Sequence, residues 1–263
     1  MKHRFAKVVS LVLLMIAALL LMPLEQKLVG YSVWALGVLS LLFADKNFAK
    51  HSILIYFSLA VLGITPINTD ISPPHMLVMA ATLFAAVAMP YIVTKYIYKE
   101  PVISYPFKKH RWTKGHFGYL LLTAALGYLL LPFWMSNTGG YMNWSVPLDP
   151  AGITLLFIGT NGLGIWDELF FIVTVLALLR RHLPFVWANA IQAVLFTAFL
   201  YELGFRGWAP LAIYPFALLQ GIVYKKTHNL LYIIAIHLTL DLVLFLALIN
   251  AHHPHLIDIF ITK

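Results

Sequence analysis

The sequence contains no cysteine and little charge. The absence of cysteine excludes disulfide bonds and thiol chemistry. Only 11% of the 263 residues are charged and 61% are hydrophobic, whereas a soluble domain has about a quarter charged residues. The mean hydropathy is +0.85, and no polar stretch is long enough to build a soluble core. The composition therefore predicts an all-α protein that crosses a membrane several times.

Nine apolar segments reach or approach the roughly 20 residues that a membrane-spanning helix needs. They comprise residues 6–24, 28–44, 52–68, 75–98, 116–136, 152–181, 184–203, 207–224 and 229–250. The sequence thus predicts a polytopic transmembrane helical bundle of about nine spans. We interpret residues 1–150 as N-terminal transmembrane helices with a basic cytoplasmic loop, residues 151–250 as a C-terminal transmembrane core, and residues 251–263 as a short tail.

The basic residues favour one side of this bundle. That side carries Lys2, Arg4, Lys7, Lys46, Lys50, Lys95, Lys99, Lys108, Lys109, Arg111, Lys114, Arg180, Arg181, Lys225 and Lys226. The other side has Lys27, Arg206 and Lys263. Because short cytoplasmic loops are enriched in Lys and Arg, we expect a multi-pass protein of the cell membrane with a cytoplasmic N-terminus and an external C-terminus. For the same reason, the net charge of +8 does not indicate nucleic-acid binding.

The loop at residues 99–115 combines basic and aromatic residues, among them Tyr105, Lys108 and Lys109. A basic segment beside a membrane is attracted to the anionic lipids of the inner leaflet. We interpret the loop as an interfacial anchor that contacts anionic lipids, and a docking surface for a substrate is the alternative.

Four ionisable residues lie inside apolar segments, where an unpaired charge costs a few kcal/mol or more. Asp167 and Glu168 are neighbours, and His237 and Asp241 share a helix face at i, i+4. Asp167 lies about 20 Å from Arg180 along its helix, and His237 about 17 Å from Lys226. Since both basic residues mark the same side of the membrane, the sequence predicts that the two pairs meet at one depth.

Such a group of polar residues either locks helices together or lines a functional cavity. For a single Asp or His we would favour the structural role. Two adjacent acids level with a His-x-x-x-Asp pattern favour the functional one. A carboxylate in such a cavity can take a proton from water, so Asp167, Glu168, His237 and Asp241 are the candidate catalytic residues.

The C-terminal part of the chain resembles the CPBP family of membrane proteins, which includes CAAX prenyl proteases of the Rce1 type and bacteriocin-processing and immunity proteins. The family pattern is Glu-Glu-x-x-x-Arg on one helix, Phe-x-x-x-His on the next, and His-x-x-x-Asn/Asp on the last of four core helices. Asp167-Glu168 resembles the paired acids, and His237-x-x-x-Asp241 resembles the last motif. The resemblance covers about residues 150–250 and implies a four-helix core that hydrolyses peptide bonds within the membrane.

The resemblance also implies roles for these residues. Asp167 or Glu168 would activate a water molecule, while His237 and Asp241 would orient the water or stabilise the oxyanion. The implied substrate is a membrane-embedded or lipidated protein or peptide. The sequence departs from the pattern at Ile172, where the family has arginine, and at Leu200, where it has histidine.

Two polar residues of the helix that carries Leu200 are candidate supporting residues. Gln192 and Asn189 could supply a hydrogen bond to the site, and interhelical packing is the alternative role for both. A rival placement of the first motif on Glu202 and Arg206 leaves too few residues before His237 for the intervening helix. We therefore interpret Glu202 and Arg206 as a pair of residues at the outer surface.

The sequence favours no metal or other cofactor. Zinc takes three or four protein ligands, usually His or Cys, and one His among three carboxylates is a poor set for it. The histidines at 252, 253 and 255 form a denser cluster, which we interpret as part of a solvated tail. The glycines at 159, 162 and 164 are small enough for close helix packing, and they could also break the long segment that carries Asp167.

Three functions remain open from the sequence. The first is an intramembrane endopeptidase of the CPBP type. The second is a catalytically silent member of that family, which would act as a membrane scaffold or an immunity-type protein. The third is a proton-coupled transporter, because chains of Asp, Glu and His also relay protons, although the chain shows no inverted repeat of the kind that many transporters have.

Overall fold

A computed structural model of the chain describes residues 2–107 and 111–261. This part of the chain is helical and contains no strand. The helices are α1 (Lys2–Leu21), α2 (Lys27–Ser40), α3 (Lys46–Ile64), α4 (Pro73–Ile92), α5 (Lys114–Thr138), α6 (Pro150–Asp167), α7 (Leu176–Arg180), α8 (Phe185–Glu202), α9 (Ala209–Thr227) and α10 (Leu230–His252). Short 3-10 turns follow α2 and α5, at Leu41–Phe43 and Gly140–Asn143, and π-helical segments follow α4 and α6, at Val93–Ile97 and Glu168–Val175.

The polytopic helical bundle expected from the sequence is confirmed. Each of the nine apolar segments coincides with a helix, with α6, the π-helical segment and α7 forming one of them. By length and composition, 7 helices of the described residues can cross a membrane. Lys27–Phe43 is a shorter apolar helix. The segment predicted at residues 52–68 begins earlier, at Lys46, because the Asp45 side chain accepts a hydrogen bond from the Phe48 backbone N–H (2.9 Å) and starts the helix there.

Local sequence signals explain where the helices of the C-terminal part begin and turn. The side chain of Asp149 caps the first turn of α6 through the Gly152 N–H (2.9 Å), and Pro150 occupies the first helical position. His228 adopts a left-handed conformation (φ 46°) at the end of α9. The next residue, Asn229, caps α10 through the Tyr232 N–H (3.1 Å). This tight turn packs α10 back against α9 and α6.

The long helical segment that carries both acids is not broken at its glycines, contrary to one expectation from the sequence. Helix α6 is continuous through Gly159, Gly162 and Gly164, and the irregularity begins at Glu168 as a π-helical segment. The glycines instead permit close packing. A Cβ atom at Gly164 would overlap the Asp241 carboxylate and lie 3.0 Å from the His237 ring. Because π-helical segments are frequent at functional sites, the start of this segment at Glu168 is consistent with a functional site there.

The C-terminal tail is packed against the bundle only in part: His252, His253 and Phe260 contact it, whereas His255 and most of the residues after it are exposed, as we expected. His252 and His253 bond through Nε2 to the backbone carbonyls of Tyr141 (3.0 Å) and Val146 (2.9 Å). Phe260 is buried and stacks on the Tyr128 ring at a centroid distance of 5.0 Å. The tail therefore covers polar carbonyls of the α5–α6 connection and apolar surface of α5.

The basic loop packs partly on the protein as well. Ile103 is buried, and the Tyr105 hydroxyl lies 3.0 Å from the Thr174 hydroxyl in the π-helical segment. Lys108, Lys109 and His110, which carry much of the predicted lipid attraction, lie outside the described residues, as do Met1, Thr262 and Lys263. Contact between this loop and anionic lipids therefore stays a prediction.

Candidate active site

The two polar pairs predicted from the sequence meet in the interior of the C-terminal helices. The His237 ring donates through Nδ1 to Glu168 Oε1 at 2.8 Å. The same carboxylate oxygen accepts a second hydrogen bond from Gln220 Nε2 of α9, at 2.7 Å. Glu168 and Gln220 are fully buried, and His237 is 5% exposed. The prediction that the pairs lie at one depth is thus confirmed, and three helical segments fix the imidazole.

Asp167 is the least satisfied polar group of the site. It is 1% exposed, and neither carboxylate oxygen has a hydrogen-bond partner among the described residues. Its Oδ2 lies 3.8 Å from His237 Nε2, and Asp241 Oδ1 lies 3.8 Å from the same nitrogen. These separations are too long for direct hydrogen bonds but suit a shared water molecule. A buried carboxylate without a partner is costly, so Asp167 is a group for which packing alone gives no reason.

A cavity of about 80 Å³ lies directly beside these residues. Asp167, His237 and Asp241 form one end of it, and Leu200 and Gly164 belong to its walls. The volume admits a few water molecules, since one water needs about 10–15 Å³ by this measure. The unpaired carboxylate, the imidazole and a polar ligand can therefore meet in one space.

A second cavity, of about 310 Å³, reaches His237 and Asp241 from another side. Helices α5, α8, α9 and α10 line it, and apart from these two residues its lining is almost wholly apolar. Leu200 and Phe205 border both cavities. The site thus lies between a small cavity that reaches Asp167 and a larger apolar one.

Aromatic rings support the site from the remaining directions. The Phe216 ring meets the His237 ring edge-on (centroids 5.6 Å apart, 89° between planes), and Phe196 lies 5.9 Å away. Trp166, next to the acids, donates through Nε1 to the Leu83 carbonyl of α4 at 2.7 Å. Since these rings have few rotamers and are closely packed, they hold the imidazole and the acidic residues in a fixed orientation.

The two supporting residues predicted on α8 have other hydrogen bonds. Gln192 Nε2 donates to Asn189 Oδ1 (2.9 Å) and to the Ala217 carbonyl (3.0 Å), and Asn189 Nδ2 donates to the Leu218 carbonyl (3.0 Å). These contacts join α8 to α9, which is the packing role that we weighed as the alternative. Gln220, which does contact the site, was not singled out from the sequence, although a lone glutamine in an apolar helix was a signal that could have found it.

The departures from the family pattern lie in different environments. Leu200 is 8% exposed and borders both cavities, so an apolar side chain stands where the resemblance implies a histidine. Ile172 is fully buried in the π-helical segment. The surface pair proposed for Glu202 and Arg206 is not formed, because Arg206 Nη2 lies 3.7 Å from Glu25 Oε1 and Glu202 Oε2 is buried without a partner in the described chain.

The acidic cluster is not arranged as a metal site. Among residues 2–107 and 111–261, no group of three or more His, Cys, Asp or Glu side chains is placed to hold a metal ion. Glu168 Oε1 is already occupied by two hydrogen-bond donors. Within this cluster, the buried oxygens that lack partners among the described residues belong to Asp167, Glu168 and Asp241.

A second polar network, also missed from the sequence, lies at the end of the bundle that carries Arg180 and Arg181. His51 of α3 bonds to His182 Nε2 (2.8 Å) and to Glu100 Oε2 (2.9 Å), and Lys50 Nζ lies 2.5 Å from Glu100 Oε1. Burial, helped by neighbouring positive charge, lowers the pKa of His182 to about 4. The hydrogen bond from Lys50 lowers the pKa of Glu100 below its usual range. The network ties α3 and the basic loop to the turn before α8.

A family comparison matches the part of the chain that holds the residues of the site. Residues 149–243, which include all four helical segments of the site, match the family model described as type II CAAX prenyl endopeptidase Rce1-like. The C-terminal part of the chain is therefore similar to an Rce1-like domain, which is consistent with a CPBP family protein. The first five helices lie outside the match. Searches of curated proteins and of solved structures each found no match.

Proposed function

We propose that the protein is an intramembrane endopeptidase in which Asp167 activates the attacking water. The observation that carries the proposal is the Asp167 carboxylate, which is buried, lacks a partner among the described residues, and faces a cavity shared with His237. A purely structural carboxylate at this position would destabilise the fold. A general base, by contrast, must keep an oxygen free for the proton that it takes.

The reaction follows from the positions of the side chains. A water molecule between Asp167 and His237 Nε2 gives its proton to Asp167, and its oxygen attacks the carbonyl carbon of the scissile peptide bond. His237, held by Glu168 and Gln220, turns its Nε2 towards the developing oxyanion, where a protonated ring stabilises the negative charge. Asp167 then passes the proton to the amide nitrogen, the C–N bond breaks as the carbonyl re-forms, and the two products are a carboxylic acid and an amine. Asp241 flanks the imidazole and sets its charge and orientation.

We further propose that the substrate is a membrane-embedded or lipidated protein or peptide. The larger cavity, between α5 and α9, is lined almost entirely by apolar side chains and ends at His237 and Asp241. An apolar segment bound there would place its peptide bond beside the imidazole. The basic loop would contact anionic lipids or a substrate through its Lys and Arg residues.

A catalytically silent scaffold is the second candidate, and one observation favours it. Leu200 lies in a cavity wall, at the position where the resemblance to the CPBP family implies a histidine. The loss of one oxyanion donor reduces enzyme rates by about 10²–10³-fold. An active enzyme with Leu200 must therefore rely on His237 alone among its imidazoles.

Comparison of protein termini in cells tests the proposal. The N- and C-termini of membrane proteins would be compared by mass spectrometry in cells that carry the wild type, the Asp167→Asn/Glu168→Gln double variant, or no gene. Glu202→Gln is the matched control. Glu202 lies outside the site, is partly buried, and has an Oε2 atom with no hydrogen-bond partner among the described residues. We expect cleavage products with the wild type and the control only. Identical termini in all cells, with every variant expressed and folded, would establish the scaffold instead.

A further inference from the structure

The cavity beside Asp167 leads towards one end of the bundle. Its far wall is formed by the α3–α4 loop, where Asn68 and Asp70 are exposed and Thr69 is half-buried. Between this mouth and Asp167 the wall follows α6 through Thr160. A continuous space therefore connects the buried carboxylate with a polar, solvent-exposed loop.

In the opposite direction, the core between the π-helical segment, α8, α9 and α10 is closed within the described part of the chain, while the larger apolar cavity lies to one side of it, along α5 and α9. Between Glu168 and Arg180, side chains of the π-helical segment pack beside side chains of α8, α9 and α10. The residues of this packed layer are at most 1% exposed. These residues are Phe171, Ile172, Val175, Gln192, Phe196, Gln220 and Ile233. Water approaching Asp167 through this core from the end that carries Arg180 and Arg181 would have to displace the packed layer.

The mouth is held in shape by bonds between three loops. The Thr69 hydroxyl donates to the Asn143 carbonyl in the 3-10 turn after α5, and Asn143 Nδ2 donates to the Gly204 carbonyl after α8 (2.7 Å). Trp144 and Phe205 meet edge-on beside this chain of bonds, with centroids 5.2 Å apart. Since hydrogen bonds and ring packing cross all three loops, the opening is a structured feature of the fold.

We propose that water and the scissile segment enter the site from the end formed by the α3–α4, α5–α6 and α8–α9 loops. The predicted orientation places the basic residues in the cytoplasm, so this end faces outward. The part of the proposal that concerns the substrate rests on the proposed function. It specifies peptide bonds in the part of a membrane protein or peptide that is exposed on the external face.

The absence of cysteine allows a direct test by single-cysteine labelling. Thr160→Cys places a thiol in the cavity wall. Thr174→Cys places a thiol on the same helical segment, at an equal distance along the chain from Asp167 but on its other side, towards Arg180. Asp70→Cys and Lys226→Cys mark the two ends of the bundle, because both side chains are exposed. Each variant would be treated with a membrane-impermeant thiosulfonate reagent in sealed right-side-out and inverted vesicles.

We expect Thr160→Cys to react from the same side as Asp70→Cys, and that side to be the outer one. We expect Thr174→Cys to react from neither side. Reaction of Thr160→Cys only from the Lys226 side, or from neither side while Asp70→Cys reacts, would overturn the entry route. Reaction of Asp70→Cys only from the inner side would overturn the external location of the substrate.

The labelling result is independent of catalysis, so the two proposals can fail separately. If the labelling is as expected but no cleavage product is found, the proposed peptidase activity is refuted and the entry route is supported. Where cleavage products are found, their new termini should lie on the same side of the membrane as Asp70. New termini on the opposite side would refute the substrate assignment and leave the peptidase in place.

Discussion

Gln220 should position the catalytic imidazole through Glu168, and its replacement tests the arrangement of the site most directly. Glu168 Oε1 accepts from Gln220 Nε2 at 2.7 Å and from His237 Nδ1 at 2.8 Å, while Glu168 Oε2 has no partner among the described residues. Gln220→Met keeps the length of the side chain and removes its donor. Glu168 would then be held by His237 alone, and its orientation would no longer be fixed from α9.

The size of the effect follows from the kind of bond that is lost. A hydrogen bond to a charged group contributes about 1.5–3 kcal/mol. If the bond acts fully on the orientation of the imidazole in the transition state, the rate of cleavage per folded molecule should fall by about 10- to 150-fold. Because Gln220 Nε2 also donates to the Ile233 carbonyl at 3.2 Å, the variant should lose stability as well.

Gln192→Met separates positioning from stability. Gln192 is also fully buried and also donates through Nε2 to two acceptors, Asn189 Oδ1 and the Ala217 carbonyl, but neither belongs to the site. We expect comparable losses of stability in the two variants, measured by thermal unfolding in detergent, and a loss of cleavage only in Gln220→Met. Equal cleavage rates per folded molecule in both variants would refute a positioning role for Gln220.

Three further predictions concern other groups. Gly164→Ala should reduce cleavage at least tenfold, because the new Cβ would overlap the Asp241 carboxylate. Gly162→Ala is the control, because a Cβ at that position would have no neighbouring atom within 4 Å, and it should leave both cleavage and folding intact. The unfolding free energy should fall as the pH is lowered from about 6.5 to about 4, because burial lowers the pKa of His182 and the unfolded chain takes up the proton first. Denaturant unfolding of the wild type and of His182→Gln at several pH values measures this fall. The same dependence of the unfolding free energy on pH in both proteins would contradict the prediction. Asp167→Asn should abolish cleavage yet raise the unfolding free energy by about 1 kcal/mol or more. The reason is that three buried carboxylates share one imidazole, so the removal of one acidic group relieves an unpaired charge. A loss of stability would show that Asp167 is a structural residue.

The sequence predicted the fold and the centre of the site because both depend on patterns that the membrane makes strict. Apolar runs predicted most helices to within a few residues, with α3 the exception. The cost of intramembrane charge singled out Asp167, Glu168, His237 and Asp241. Distance along antiparallel helices then predicted their common depth. These inferences need only helix geometry and the polarity of the surroundings, and the hydrogen bond between Glu168 and His237 confirms the depth.

The contacts that sequence reasoning missed depend on helix rotation, which the uniformly apolar helices do not encode. Gln192 and Gln220 are both single amides in apolar helices, and only their rotation decides that Gln220 faces Glu168 and Gln192 faces Ala217. The π-helical segment at Glu168 likewise has no signal in its residues, since it depends on packing against neighbouring helices. The contacts of His252 and His253 were missed because polar histidines suggest solvent, while their acceptors are backbone carbonyls distant in sequence.

The distribution of unsatisfied groups separates function from packing in this protein. Gln192, Asn189 and the threonines of the bundle direct their donors to other helices or to their own backbone, as polar residues do when they hold membrane helices together. Asp167 does the opposite, because its helix exposes it to a cavity and gives neither oxygen a donor among the described residues. A scaffold gains nothing from such a carboxylate, whereas a hydrolase needs it free. In the proposed peptidase, Leu200 therefore affects the oxyanion side of the site, and Asp167 on the water-activating side is unaffected.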